Sequence, residues 1–125
     1  MALIPMLNYL FRKPKFPIIC DFDGIVVAAK SEVSFTRQLD KLEIDIEKQY
    51  PLISVSGEGW MFLPKHLAVS PLSTKKKWFK KDIIALYNGK KNPGSDGKQY
   101  SDKSLSAKRF EKIFKDIVEL LLNAT

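Results

Sequence analysis

Apolar residues crowd on both sides of Asp23-Gly24 between Ile18 and Ala29. A two-residue type I′ turn needs positive φ at both central positions, and Asp-Gly supplies it cheaply. With that pair as the loop, Phe22 faces Ile25, Cys20 faces Val27 and Ile18 faces Ala29, so one side of the hairpin is wholly apolar. A slip of one residue would scramble that side. A second hairpin is expected over Leu52–Leu63, with Gly57-Glu58 as a type II′ loop that pairs Val55 with Trp60 and Ile53 with Phe62. Pro64 stops that strand, and His66–Leu72 offers a short fifth one.

Helical periodicity appears in three places. Phe35, Leu39, Leu42, Ile46 and Tyr50 follow steps of four and three, which predicts a helix over 32–50, capped by Ser31 and ended by Pro51. Phe79, Ile83 and Leu86 mark the buried side of a helix over 75–88, capped by Ser73 or Thr74 and closed by Gly89. On that wheel Phe79 falls in the core and Trp78 at its edge. Phe110, Ile113, Phe114, Ile117, Val118 and Leu121 define a closing amphipathic helix over 106–123. Residues 1–12 suit a short apolar turn or helix, and 13–17, with two prolines, an extended connector, so 1–16 reads as an N-terminal arm. Residues 90–105 hold almost nothing to bury and read as a mobile or functional loop. The expected fold is a single α+β domain over 1–125: two β-hairpins in one antiparallel sheet, helices packed on one face, order β-β-α-β-β-α-α.

Composition narrows the function classes. The 125 residues are 45% hydrophobic and 11% aromatic, enough for a packed core and too much for a disordered chain. Cys20 is the one cysteine and His66 the one histidine, which removes a disulfide framework and any multi-cysteine or multi-histidine metal cluster. Cys20 falls on the apolar side of the first hairpin, so it reads as buried and inert. No apolar run reaches the roughly 18–20 residues of a membrane span. The apolar opening of the chain is followed, not preceded, by Arg12, Lys13 and Lys15, which is the reverse of a secretory signal. A soluble cytoplasmic protein is therefore expected.

Ile18–Val26, with Asp21-Phe22-Asp23-Gly24 at its centre, resembles the first motif of haloacid-dehalogenase-like phosphohydrolases, a hydrophobic strand ending in Asp-x-Asp-Gly. Ser54-Val55-Ser56-Gly57 is similar to that family's second motif. The resemblance implies Asp21 as phosphoryl-accepting nucleophile, Asp23 as general acid/base, both holding Mg²⁺, Ser56 on the phosphoryl group, and a lysine from Lys75, Lys76 or Lys77. The same letters at 21–24 equally serve a hairpin turn, in which case no metal or cofactor is implied.

The charge distribution points elsewhere. The chain has 21 Lys+Arg against 14 Asp+Glu, a net charge of +7. Thr74–Lys91 holds Lys75, Lys76, Lys77, Lys80, Lys81, Lys90 and Lys91 against the single acid Asp82. Glu32–Tyr50 is mildly acidic. Lysines neutralise phosphates and release counterions, and an exposed Trp78 can stack on a base. The leading expectation is thus a non-enzymatic binding module. Lys75, Lys76, Lys77, Trp78, Lys80, Lys81, Lys90 and Lys91 would take a polyanionic partner, either nucleic acid or an acidic protein. The Mg²⁺-dependent phosphohydrolase is the alternative.

Overall fold

The computed structural model describes residues 7–71, 77–91 and 108–123. The chain forms β1 (Asn8–Tyr9), β2 (Ile18–Phe22), β3 (Ile25–Ala29), α1 (Glu32–Leu39), β4 (Tyr50–Ser54) and β5 (Gly59–Leu63). A 3₁₀ turn (Pro64–His66) leads to β6 (Ala68–Pro71), followed by α2 (Lys80–Asn88) and α3 (Phe110–Asn123). The class is α+β. The six strands form one sheet in the order β1-β6-β5-β4-β2-β3.

The first hairpin has the expected register: Phe22 opposite Ile25, Cys20 opposite Val27, Ile18 opposite Ala29. Asp23 (φ 55) and Gly24 (φ 101) both take the positive φ that the turn needs. The remaining antiparallel pairs are β2–β4, β4–β5 and β5–β6. The sheet is nevertheless mixed, because β1 runs parallel to β6, with Asn8 beside Ala68. This corrects the expectation of a purely antiparallel sheet. A two-residue strand paired with a partner some sixty positions away leaves no local pattern. The described part of the expected N-terminal arm is therefore tied in: Leu7 is buried, and Asn8 Nδ2 donates to the His66 carbonyl.

The second hairpin is shifted by three residues. Leu52, not Val55, lies opposite Trp60, and Tyr50, not Ile53, opposite Phe62. Ser54–Glu58 form the turn, closed by Ser54 N–H to the Glu58 carbonyl (3.1 Å) and Gly57 N–H to the Ser54 carbonyl (2.9 Å). An odd shift moves Ile53 to the other side of the sheet from Trp60 and Phe62. That position is filled, because both faces of the sheet are covered. One core contains Cys20, Phe22, Phe35 of α1, Tyr50, Leu52, Trp60 and Phe62. Phe62 meets Phe22 and Phe35 edge to face, with the Phe35 and Phe62 centroids 5.2 Å apart. The other contains Ile19, Val26, Ile53, and Ile83 and Ile84 of α2 with Ile113, Phe114 and Ile117 of α3. Helices thus pack on both faces, which corrects the one-sided arrangement.

α1 ends at Leu39, eleven residues before the predicted end at 50. Ser31 caps it as expected, its hydroxyl accepting from Ser34 N–H. Tyr50 belongs to β4 and Ile46 is 56% exposed, so the five-residue stripe mixed a helix, a loop and a strand. The loop has its own bonds: Asp45 N–H donates to the Tyr50 hydroxyl (3.1 Å), and Asp45 Oδ1 accepts from Glu47 N–H (2.9 Å). α2 starts at Lys80, not 75; Ser73, Thr74, Lys75 and Lys76 lie outside the described residues. α3 keeps the predicted buried stripe and starts at Phe110, with 106 and 107 outside the description. Most of the expected loop at 90–105, with its Asp96 and Asp102, also falls there.

Candidate functional site

The two hairpin turns lie at opposite ends of the sheet. Ser54 pairs with Ile18, at the start of β2, whereas Asp21 and Asp23 sit at its far end. Three strand residues, about 10 Å, separate those levels. α2 spans the distance. Its first turn is at the Gly57 end, and Lys91 N–H beyond its last turn donates to the Gly24 carbonyl (2.7 Å) at the other.

Around the Gly57 turn is an open cleft of about 770 Å³. Its lining comes from four stretches: Lys15 of the connector, Val55 and Ser56 of the turn, Lys77–Lys81, and Arg109–Glu111 at the start of α3. Backbone bonds hold these together. Lys77 forms an antiparallel bridge with Glu58, Trp78 N–H donates to the Gly57 carbonyl (2.5 Å), and Val55 N–H reaches the Lys15 carbonyl (3.5 Å). Gly57 (φ 87) is required at the centre of this junction. A Cβ there would sit 3.1 Å from the Trp78 carbonyl oxygen and 3.4 Å from the Phe110 ring.

Residues 77–79 are extended, and burial alternates along them: Lys77 exposed, Trp78 half-buried, Phe79 exposed. Trp78 packs into the core beneath α2 and α3, while Phe79 is 63% exposed. Trp78 is thus at the edge of the core, as the helical wheel has it, whereas Phe79 is not in the core, because a strand period of two replaces the helix period at these three residues. Phe79 is the N-cap of α2, and its N–H donates to Asp82 Oδ2 (2.9 Å).

The cleft gathers several cations that no acid among the described residues answers. Arg12 with Glu58, Lys30 with Glu119, Lys48 with Asp23, Lys65 with Glu47, and Lys108 and Lys112 with Asp116 are all ion pairs. Among the described residues, Lys15, Lys77, Lys81 and Arg109 form none; neither do Lys13, Arg37, Lys41, Lys90 and Lys91 elsewhere, and what marks the cleft is that four such cations line one opening. The acids at the cleft's edge are already engaged: Arg12 Nη1 donates to Glu58 Oε1 (2.6 Å), and Glu111 pairs with Lys115 (3.0 Å). Lys80, Lys81 and Arg109 also stand at the starts of α2 and α3, where the macrodipole already contributes positive potential and a cation is disfavoured by about 0.3–1 kcal/mol. A smaller cavity of about 300 Å³, lined by Pro17, Lys30, Lys115, Val118 and Glu119, has its charges paired: Lys30 with Glu119, and Lys115 with Glu111.

Of the sequence candidates, Lys77, Trp78, Lys80, Lys81 and Ser56 are brought together here, and Lys75 and Lys76 lie outside the described residues. Lys90 and Lys91 are not part of it. They lie at the other end of α2, about 13 Å away along the axis, with Lys90 Nζ 3.8 Å from the Tyr87 ring centre. Lys15, Arg109 and Phe110 were missed by sequence reasoning. The one signal for Arg109 was a basic residue directly before an amphipathic helix, where the dipole argues against it.

Asp21 and Asp23 are engaged in the first turn. Asp21 Oδ1 accepts from Gly24 N–H (2.8 Å), the Asx bond that such turns favour. Asp23 Oδ2 pairs with Lys48 Nζ (3.1 Å), which holds that ammonium above its ordinary value. β2 is antiparallel to both neighbours, and Ser56 is at the opposite end of the sheet. Among the described residues no group of three or more His, Cys, Asp or Glu side chains converges. This donor set does not fit the Mg²⁺ that the phosphohydrolase resemblance implies. Cys20 is fully buried, and burial pushes its thiol well above the usual range. His66 is exposed on the 3₁₀ turn. Among the described residues no helix is long and apolar enough to cross a membrane. Comparison with protein-family models, curated proteins and solved structures finds no match.

Proposed function

We propose that this protein is a non-enzymatic binding module that holds a polyanionic chain in the cleft around Gly57. The observation that carries this reading is the set of four cations, Lys15, Lys77, Lys81 and Arg109, drawn from three separate stretches and left without ion pairs while the neighbouring acids are neutralised. Surface charges of one sign placed together repel one another, so such a cluster is stabilised when an anion enters. A polyanion also exchanges its condensed counterions for these side chains, which gives affinity without chemistry.

The test is a binding titration of the full chain against a single-stranded oligonucleotide and heparin, from low to physiological salt. Affinity should fall steeply as salt rises, and Lys77→Glu with Lys81→Glu should weaken it at least tenfold. Unchanged affinity for every polyanion in the double variant would remove the proposal.

A further inference from the structure

We infer that the chain held in this cleft is a single-stranded nucleic acid, with one base stacked on the exposed ring of Phe79. The inference rests on the polyanion reading and adds a base-recognition element to it. Charge alone would suit an acidic peptide equally well; the exposed ring beside the cations adds a face on which a base can stack.

Three observations support it. First, Phe79 is a large ring left 63% exposed in the lining of a cationic cleft. Second, the ring sits on anchored backbone: Phe79 N–H donates to Asp82 Oδ2, and its carbonyl accepts from Asp82 N–H (3.0 Å) and Ile83 N–H (3.2 Å). Stacking on a fixed platform loses little conformational entropy. Third, the out-in-out alternation of 77–79 sends Lys77 and Phe79 to the same side of an extended segment, two residues or about 7 Å apart. A cation beside a ring is the pairing that a phosphate and its own base require. The cleft is concave and falls within the roughly 300–1,000 Å³ of small-ligand sites. It therefore suits a flexible strand with unstacked bases better than a stiff duplex.

The experiment measures binding of wild type, Phe79→Ala and Phe79→Tyr to four probes: a homopyrimidine single strand, the same strand with abasic sites, a duplex of equal charge, and poly-glutamate. The single strand should bind most tightly. Phe79→Ala should lose roughly tenfold for the base-bearing strand and little for the abasic one, and Phe79→Tyr should restore the loss. Equal losses on the based and abasic strands, or no loss on either, would overturn stacking. Tighter binding of poly-glutamate or duplex would overturn the single-strand assignment. In all these cases salt-dependent binding through Lys77 and Lys81 would leave the polyanion reading standing. If no probe binds, both fail together.

Discussion

The two hairpin turns are built from similar materials and reach opposite electrostatic ends. At Asp23-Gly24 each acid is answered locally, Asp21 by a backbone N–H and Asp23 by Lys48, and Lys91 beside the turn forms no ion pair among the described residues. At Gly57 the acids are answered and several cations are not. The first turn satisfies its own needs and is explained by folding alone. The second gathers cations from the connector, the 77–81 segment and the start of α3, against their repulsion and against two helix dipoles. The contrast separates a motif that looks chemical in the sequence from a site that only the tertiary fold assembles.

The largest effect that would sharpen this contrast is at the two glycines. Gly57→Ala should destabilise by about 2–3 kcal/mol in chemical denaturation, because positive φ is joined by a backbone oxygen and a packed ring that cannot give way. Gly24→Ala should cost about 1 kcal/mol less, since the nearest atom, 3.1 Å from the new Cβ, is Cδ of the Lys91 side chain and not backbone or a packed ring. Equal losses would mean that the Gly57 junction is no tighter than an ordinary turn.

Removing the bond that closes the first turn comes next. Asp21→Ala should cost about 1 kcal/mol in thermal or urea unfolding, and Asp23→Ala, which breaks only an exposed pair, no more than about 0.5 kcal/mol. Neither should alter polyanion binding by more than about twofold. A large binding loss from Asp21→Ala would erase the division between the two ends.

A smaller effect carries more information because its two readouts move in opposite directions. Lys81→Glu should stabilise the fold by about 0.3–1 kcal/mol, by placing an acid in the first turn of α2, and should weaken polyanion binding in the same protein. If both readouts fall, Lys81 is a structural residue.

The smallest expected effect is a control distant from both turns. Burial, and then donation to Glu32, raise the Tyr9 phenol above its usual 10.0. The folded state therefore favours the neutral phenol. Its contribution is fully present below pH 10 and is lost as pH rises through the raised folded value. Tyr9→Phe should flatten the stability profile above pH 10 and, at pH 7, lose only what the half-exposed bond to Glu32 contributes, about 0.5 kcal/mol. A profile that stays as steep would place the alkaline sensitivity elsewhere, with Cys20 the next group to test.

The limits of the sequence reading have physical causes. The first hairpin was legible residue by residue because its turn, register and apolar side are all local. The second slipped by three because β4 is covered on both faces: Leu52 and Ile53 are both buried, so alternation loses its phase there. The helix predicted to 50 was overextended because Leu42, Ile46 and Tyr50 matched a period of 3.6 while serving a loop and a strand. Of the site, the lysine-rich segment was legible as a charge run. The exposure of Phe79 was not, because a helix was assumed to begin five residues too early. Lys15 and Arg109 join through long-range packing and leave no signature in spacing.

The most direct test of the central claim is the salt dependence of oligonucleotide binding in wild type and in Lys77→Gln with Lys81→Gln. Each lysine that neutralises a phosphate of a single strand contributes about 0.7 to the slope of log affinity against log salt. The slope should therefore drop by about 1.4 in the double variant, with the far-UV signal unchanged and melting no lower than in wild type. An identical slope and affinity in the two proteins would show that the cleft does not hold the polyanion.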